Sequence, residues 1–185
     1  MFLISEFVVL LGANLILTQA LGLSTLFIAA GSKKNLFWTA LTISVFTTLG
    51  SFGACLINGL LPDKLYDFKL FLYILVIGAI YVILLTALYF ADRKNFGITR
   101  KYVHVSAFNC AVMGTLFTVS EKTADSIGAY ILAGAEAGIG FILAAFILTA
   151  AYKRLCSKEV PASFRGFPAM LVYLGIISMA VYALL

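Results

Sequence analysis

FNCAVMG, residues 108–114, sets an amide and a thiol side by side inside an otherwise apolar segment. A regular membrane-spanning helix gains little from that pair. A helix interrupted at Asn109 and Cys110 does, because unwound backbone at membrane depth exposes polar groups that need partners. Cys110 reads either as a small apolar packing residue or as a ligand, and the residues alone leave both open. Asn109 reads as the group that orients the turn, or as a polar contact between helices.

The surroundings of this stretch set the class of protein. The chain has 185 residues, 63% of them hydrophobic and 11% charged, with a mean hydropathy of +1.07. Soluble domains carry about 25% charged residues, so this is an integral membrane protein in a lipid bilayer. The first apolar run lacks a basic leading region and is too long for a signal peptide. No polar linker divides the chain, which reads as one transmembrane domain, 1–185. The net charge of +5 reflects membrane topology, and no nucleic-acid partner is expected. Cys55, Cys110 and Cys156 are scattered and odd in number, which is no disulfide framework. Cys55 and Cys156 lie outside any break motif and read as an apolar packing residue and an ordinary free thiol.

Apolar runs predict six membrane helices, at about 3–30, 36–61, 69–91, 102–120, 127–152 and 167–184. About 20 apolar residues cross a hydrocarbon core. The first run exceeds that and carries Gly12, Asn14, Gln19, Gly22 and Ser24, so a break in its middle is favoured over a simple tilt. The basic residues then orient the chain. Lys33, Lys34, Arg93, Lys94, Arg100, Lys101, Lys153, Arg154, Lys158 and Arg165 lie in or beside the first, third and fifth loops. The second and fourth loops, PDKLYDFK and SEKTADS, are neutral and mildly acidic. The odd loops are therefore cytoplasmic and both termini extracytoplasmic.

Helices 1–3 and 4–6 then run in opposite directions. The expected fold is all-α, with two inverted three-helix repeats, about 1–91 and 102–185, whose helices 1 and 4 are broken near the midplane. Sliding LSTLFIAAGSKK over NCAVMGTLFTVSEK sets Ser24 on Cys110. Glu136 stands mid-helix in LAGAEAGIG. A carboxylate there is a candidate for an ion path, or a polar contact with a neighbouring helix or subunit. Gly128, Gly134, Gly138 and Gly140 allow close helix approach, either to a partner subunit or in packing within the chain. His104, six residues before Cys110, is a remote candidate ligand, and its spacing does not share a helical face with the cysteine. Signatures of soluble enzymes, such as a Walker A loop, GxGxxG after a strand or HExxH, do not occur.

LGLSTLF after GANLILTQA, GSKK in the first loop, FNCAVMG, AGAEAGIGF and VPASFRG occur in order along nearly the whole chain. Together they resemble the family of the Rnf A subunits and the D and E subunits of the sodium-pumping NADH:quinone oxidoreductase, most closely its Rnf A members. The resemblance implies a non-autonomous subunit of a redox-driven, ion-translocating electron transport complex in the prokaryotic cytoplasmic (inner) membrane. It also implies a homologous six-helix partner beside other subunits. Between the two would lie a [2Fe–2S] cluster held by two cysteines from each, in LGLC and NC turns, with Asn14 and Asn109 supporting the turns.

Cys110 matches the second of these positions, but Ser24 stands where the first cysteine belongs and Thr25 replaces the following proline. A hard hydroxyl is a poor substitute for a soft thiolate. Three readings follow. The cluster has an unusual ligand, the chain is a structural paralogue without a cluster, or Ser24 is a local variant. The alternative function is a small inverted-repeat ion or solute transporter using Glu136, Asn14 and Gln19.

Overall fold

A computed structural model describes residues 14–30, 32–60, 68–91, 93, 96–122 and 126–183. The described residues are helical throughout, apart from short turns. In chain order the helices are α1 Leu15–Gln19, α2 Leu23–Ala30, α3 Lys33–Leu60, α4 Lys69–Ala91, α5 Phe96–Ala107, α6 Cys110–Lys122, α7 Ile127–Leu155 and α8 Phe167–Tyr182. Glu6, and the part of the first expected span before residue 14, lie outside the described residues.

Three of these helices, α3, α4 and α7, are long and apolar enough to cross a membrane, or four spans if the bent pair α5–α6 counts as one. Helix α8 is apolar but has 16 residues, short of the roughly 20 that a perpendicular crossing needs. The expected range 69–91 matches α4 residue for residue. Helix α3 begins three residues earlier than expected and α7 ends three residues later. The fourth expected helix, 102–120, is broken as expected, into two helices that bend by 47° between α5 and α6, but it starts earlier, at Phe96. Its first turns carry Arg100, Lys101 and His104, which hid them from an apolar count. They are helical because one face, Val103, Ser106 and Ala107, packs inward.

The first expected span is also interrupted. Ala20 (φ 58°) and Gly22 (φ 83°) turn the backbone through the left-handed region between α1 and α2. Glycine adopts this conformation without the penalty a Cβ imposes.

The most extensive packing joins α3 to α7. Small residues permit it. A Cβ on Gly134 would lie 2.5 Å from Ser51 Oγ and 2.7 Å from the Thr47 carbonyl oxygen, and one on Gly138 would lie 2.4 Å from Ser44 Oγ. Gly134 and Gly138 thus serve the internal contact with α3, and Gly140 packs against Asn14. Of the α7 glycines, Gly128 alone faces open space. Phe46, Ile43, Leu116, Val112 and Leu148 fill the core between α3, α6 and α7. Asn58 on α3 donates to Tyr130 Oη on α7 and accepts from Tyr73 Oη on α4, both at 2.9 Å. That relay satisfies three polar side chains where water is scarce. Outward-facing side chains such as Phe90 and Phe146 are apolar and exposed, as a lipid-facing surface requires.

Candidate functional site

The two interruptions meet. The backbone amide of Gly22, in the turn before α2, donates to Cys110 Sγ at the start of α6 over 3.0 Å. The two residues are 88 positions apart in the chain. The approach is close enough to demand glycine. A Cβ on Gly22 would lie 2.9 Å from both Ala111 Cβ and Phe141 Cε2. A second small residue helps, since Gly114 on α6 receives the side chain of Leu21.

An asparagine caps the start of α1 and another caps the start of α6 in the same way. Asn14 Oδ1 accepts the Ile16 amide at 3.0 Å, and its carbonyl accepts the Leu17 and Thr18 amides at 3.1 and 3.0 Å. Asn109 Oδ1 accepts the Ala111 amide at 3.1 Å, and its carbonyl accepts the Val112 and Met113 amides at 3.0 and 3.2 Å. These bonds satisfy amides that a helix start leaves without intrahelical partners. In local geometry Asn14 therefore corresponds to Asn109, whereas the sequence match had set Ser24 on Cys110. Ser24 lies one helical position after Leu23, on the segment that approaches Cys110.

The two caps differ at their nitrogens. Asn14 Nδ2 donates to the Gly140 carbonyl on α7 at 2.6 Å. Asn109 Nδ2 is buried and has no hydrogen-bond partner among the described residues. Both asparagines are almost wholly buried, so the first bond is a polar tie inside the bundle and the second donor is spare.

The candidate ligands face outward. Cys110 is exposed, as is Ser24. The Cys110 thiol also lies 3.6 Å from Asn109 Oδ1. Among the described residues no group of three or more His, Cys, Asp or Glu side chains converges. The chain thus offers one sulfur donor and one hydroxyl at the joined turns. His104 is not part of this site. Its ring lies between Tyr81 and Arg100, with Arg100 Nε donating to Nε2 at 2.8 Å and Tyr81 Oη against Nδ1. Glu136 is exposed on α7, one turn before Gly140. Cys55 is half-buried in α3, and Cys156 follows the last turn of α7.

Sequence reasoning singled out Asn14, Ser24, Asn109 and Cys110, and the structure brings their two turns together. It missed the Gly22 amide as a partner of the thiol. The signal was present in a glycine flanked by leucines at the break. The Gly140 carbonyl had no such signal, because it lies 126 residues from Asn14.

A family model described as Rnf-Nqr subunit, membrane protein, matches residues 4–185. Three bacterial relatives, each the A-type member of an ion-translocating oxidoreductase complex, are similar along most of their length. The chain is 26% identical over 170 residues to that of Shewanella sediminis, covering 90% of this chain and 88% of the relative. It is 29% identical over 175 residues to that of Shewanella putrefaciens, with 90% and 88% covered. The Shewanella baltica protein gives the same identity and coverage.

Proposed function

The chain belongs to the Rnf-Nqr family of membrane subunits, and from that premise we propose that it is a membrane subunit of an ion-translocating oxidoreductase complex in a bacterial cytoplasmic membrane. In this reading the chain has six spans in two inverted halves, with both termini extracytoplasmic. Its broken helices form half of a [2Fe–2S] site shared with a homologous subunit.

One observation carries the reading. The Gly22 amide is bonded to an exposed Cys110 sulfur, which joins the two interrupted segments and leaves the thiol on the outer surface. A shared site needs that exposure. A cluster normally takes four thiolates, and this chain alone offers too few donors among the described residues. The donor set fits a half-site in its sulfur and departs from four-thiolate chemistry at Ser24, whose oxygen is a harder ligand.

Cys110 would be the thiolate ligand and Ser24 the oxygen ligand. When bound, the cluster supplies a one-electron carrier inside the membrane. The Gly22 amide would stabilise negative charge on the Cys110 sulfur, Asn109 fixes the turn before α6 by its cap, and Asn14 anchors α1, which leads into the Gly22 turn, to α7. Glu136, exposed on α7, is the candidate group for the coupled ion.

Iron and acid-labile sulfide analysis of the purified complex, with EPR spectra, tests the reading. Cys110→Ala should lower both contents and remove one EPR signal. Ser24→Cys should keep the signal and alter its g-values. Unchanged iron and spectra in Cys110→Ala would reject the cluster.

The hydroxyl at position 24 favours a second reading, a paralogue without a cluster that acts as a small ion or solute transporter. A complex without this iron that still moves an ion, and loses that activity in Glu136→Gln, would support it.

A further inference from the structure

A cavity of about 380 Å³ opens between α2, the first turns of α3 and α5. Thr25, Asn35, Thr39, Lys101 and Tyr102 supply its polar lining, and Ile98 stands in its apolar wall. The volume lies within the roughly 300–1,000 Å³ of small-molecule sites. The cavity is separate from the Cys110 junction and its contents do not depend on a cluster.

Its chemistry is one-sided. Lys101 brings a cation, and no carboxylate is among the described lining residues. Tyr102 Oη donates to Asn35 Oδ1 at 2.8 Å, which leaves the Asn35 amide hydrogens as donors. Thr25 and Thr39 are buried, at 8% and 4% exposure. Helical threonines ordinarily return their hydroxyl to the preceding turn. Thr42, Thr48, Thr86, Thr115 and Thr149 all do so here. Thr25 and Thr39 make no such bond to a described residue, and their side chains line the cavity. Their hydroxyls are therefore available to whatever occupies the cavity.

A cation, free donors and no acid point to an anion. The position narrows its source. The cavity lies at the end of the bundle where α2 ends, α3 starts and α5 starts, beside the basic first and third loops. Ile98 and Val105 are 64% and 42% exposed, so its apolar wall continues into the outer surface. Basic pockets between membrane helices at this level bind anionic head groups.

We propose that this cavity holds the phosphate group of an anionic phospholipid, with Lys101 as counter-ion and Thr25, Thr39 and Asn35 as hydrogen-bond donors. The purified complex is delipidated in detergent, and phosphatidylglycerol, phosphatidylcholine and inorganic phosphate are added separately. Binding is read by native mass spectrometry and by the melting temperature. Phosphatidylglycerol should bind and raise the melting temperature, and the other two should do neither. Lys101→Gln should weaken phosphatidylglycerol binding roughly fivefold, the worth of one basic residue near an anionic surface, and Lys101→Arg should restore it. Thr39→Val should weaken it without changing any charge, and it carries the comparison if Lys101→Gln does not assemble. Equal binding of both lipids, an equal response to inorganic phosphate, or unchanged binding in Lys101→Gln and Thr39→Val would overturn the proposal. So would a cross-link from position 101 to another protein of the complex in place of lipid.

Discussion

A methyl group on Gly22 would meet Ala111 Cβ and Phe141 Cε2 at 2.9 Å, on a backbone already at φ +83°. Strain and crowding thus coincide at one residue. Gly22→Ala should destabilise the protein by about 1–3 kcal/mol, the scale of a left-handed non-glycine residue held by its surroundings, and thermal melting in detergent measures it. Asn14 makes a different contribution. It satisfies helix-start amides and the Gly140 carbonyl together. Asn14→Leu removes the cap on the Ile16 amide and the second donor to a Gly140 carbonyl that already serves α7, at a cost on the order of 0.5–2 kcal/mol. Asn109→Leu should cost less, because the Asn109 nitrogen forms no bond with the described residues. A larger melting shift for Asn109→Leu than for Asn14→Leu would contradict this ordering. The sequence made both asparagines visible, as polar residues inside apolar runs. It did not show that they are caps, because a cap depends on where the helix begins.

At the scale of elements, apolar length located most helices well. The range 69–91 is α4, and 127–152 falls within α7. Lipid imposes that legibility, since a span must be both long and apolar. Helix α5 was misjudged at its start because Arg100, Lys101 and His104 interrupt the apolar signal while the helix continues. The role of the α7 glycines stays open in the sequence because small residues serve internal and external contacts alike. The structure resolves that ambiguity with Ser44 and Ser51 against Gly138 and Gly134. Gly138→Val should therefore force α3 and α7 apart and lower the melting temperature and yield, whereas Gly128→Val, in open space, should change neither. Comparable losses from both variants would return the glycine face to a partner interface.

For the whole molecule, charge and apolarity carry the topology. The basic residues gather at the loops that join α2 to α3, α4 to α5 and α7 to α8. In the proposed six-span scheme the positive-inside rule predicts that end on the cytoplasmic side. Cysteine labelling of tags placed before residue 1 and after residue 185 should therefore react from outside the membrane at both ends. Labelling on opposite faces would break the six-span scheme. The meeting of the two broken segments was legible only as a consequence of that scheme. The residues that seal it, Gly22 and Phe141, belong to distant stretches with no motif in common.

The amide-to-sulfur bond between Gly22 and Cys110 also makes the protein its own reporter. An alkylating reagent can approach the exposed sulfur, yet modification displaces the donated hydrogen and crowds the adjoining turn. In a chain whose Cys55 and Cys156 have been changed to serine, the rate of thiol capture therefore counts how often the two turns part. In metal-free protein that clock reports the scaffold alone, whereas a bound cluster would occupy the sulfur and suppress capture, so the two conditions together separate a loosened scaffold from a lost cofactor.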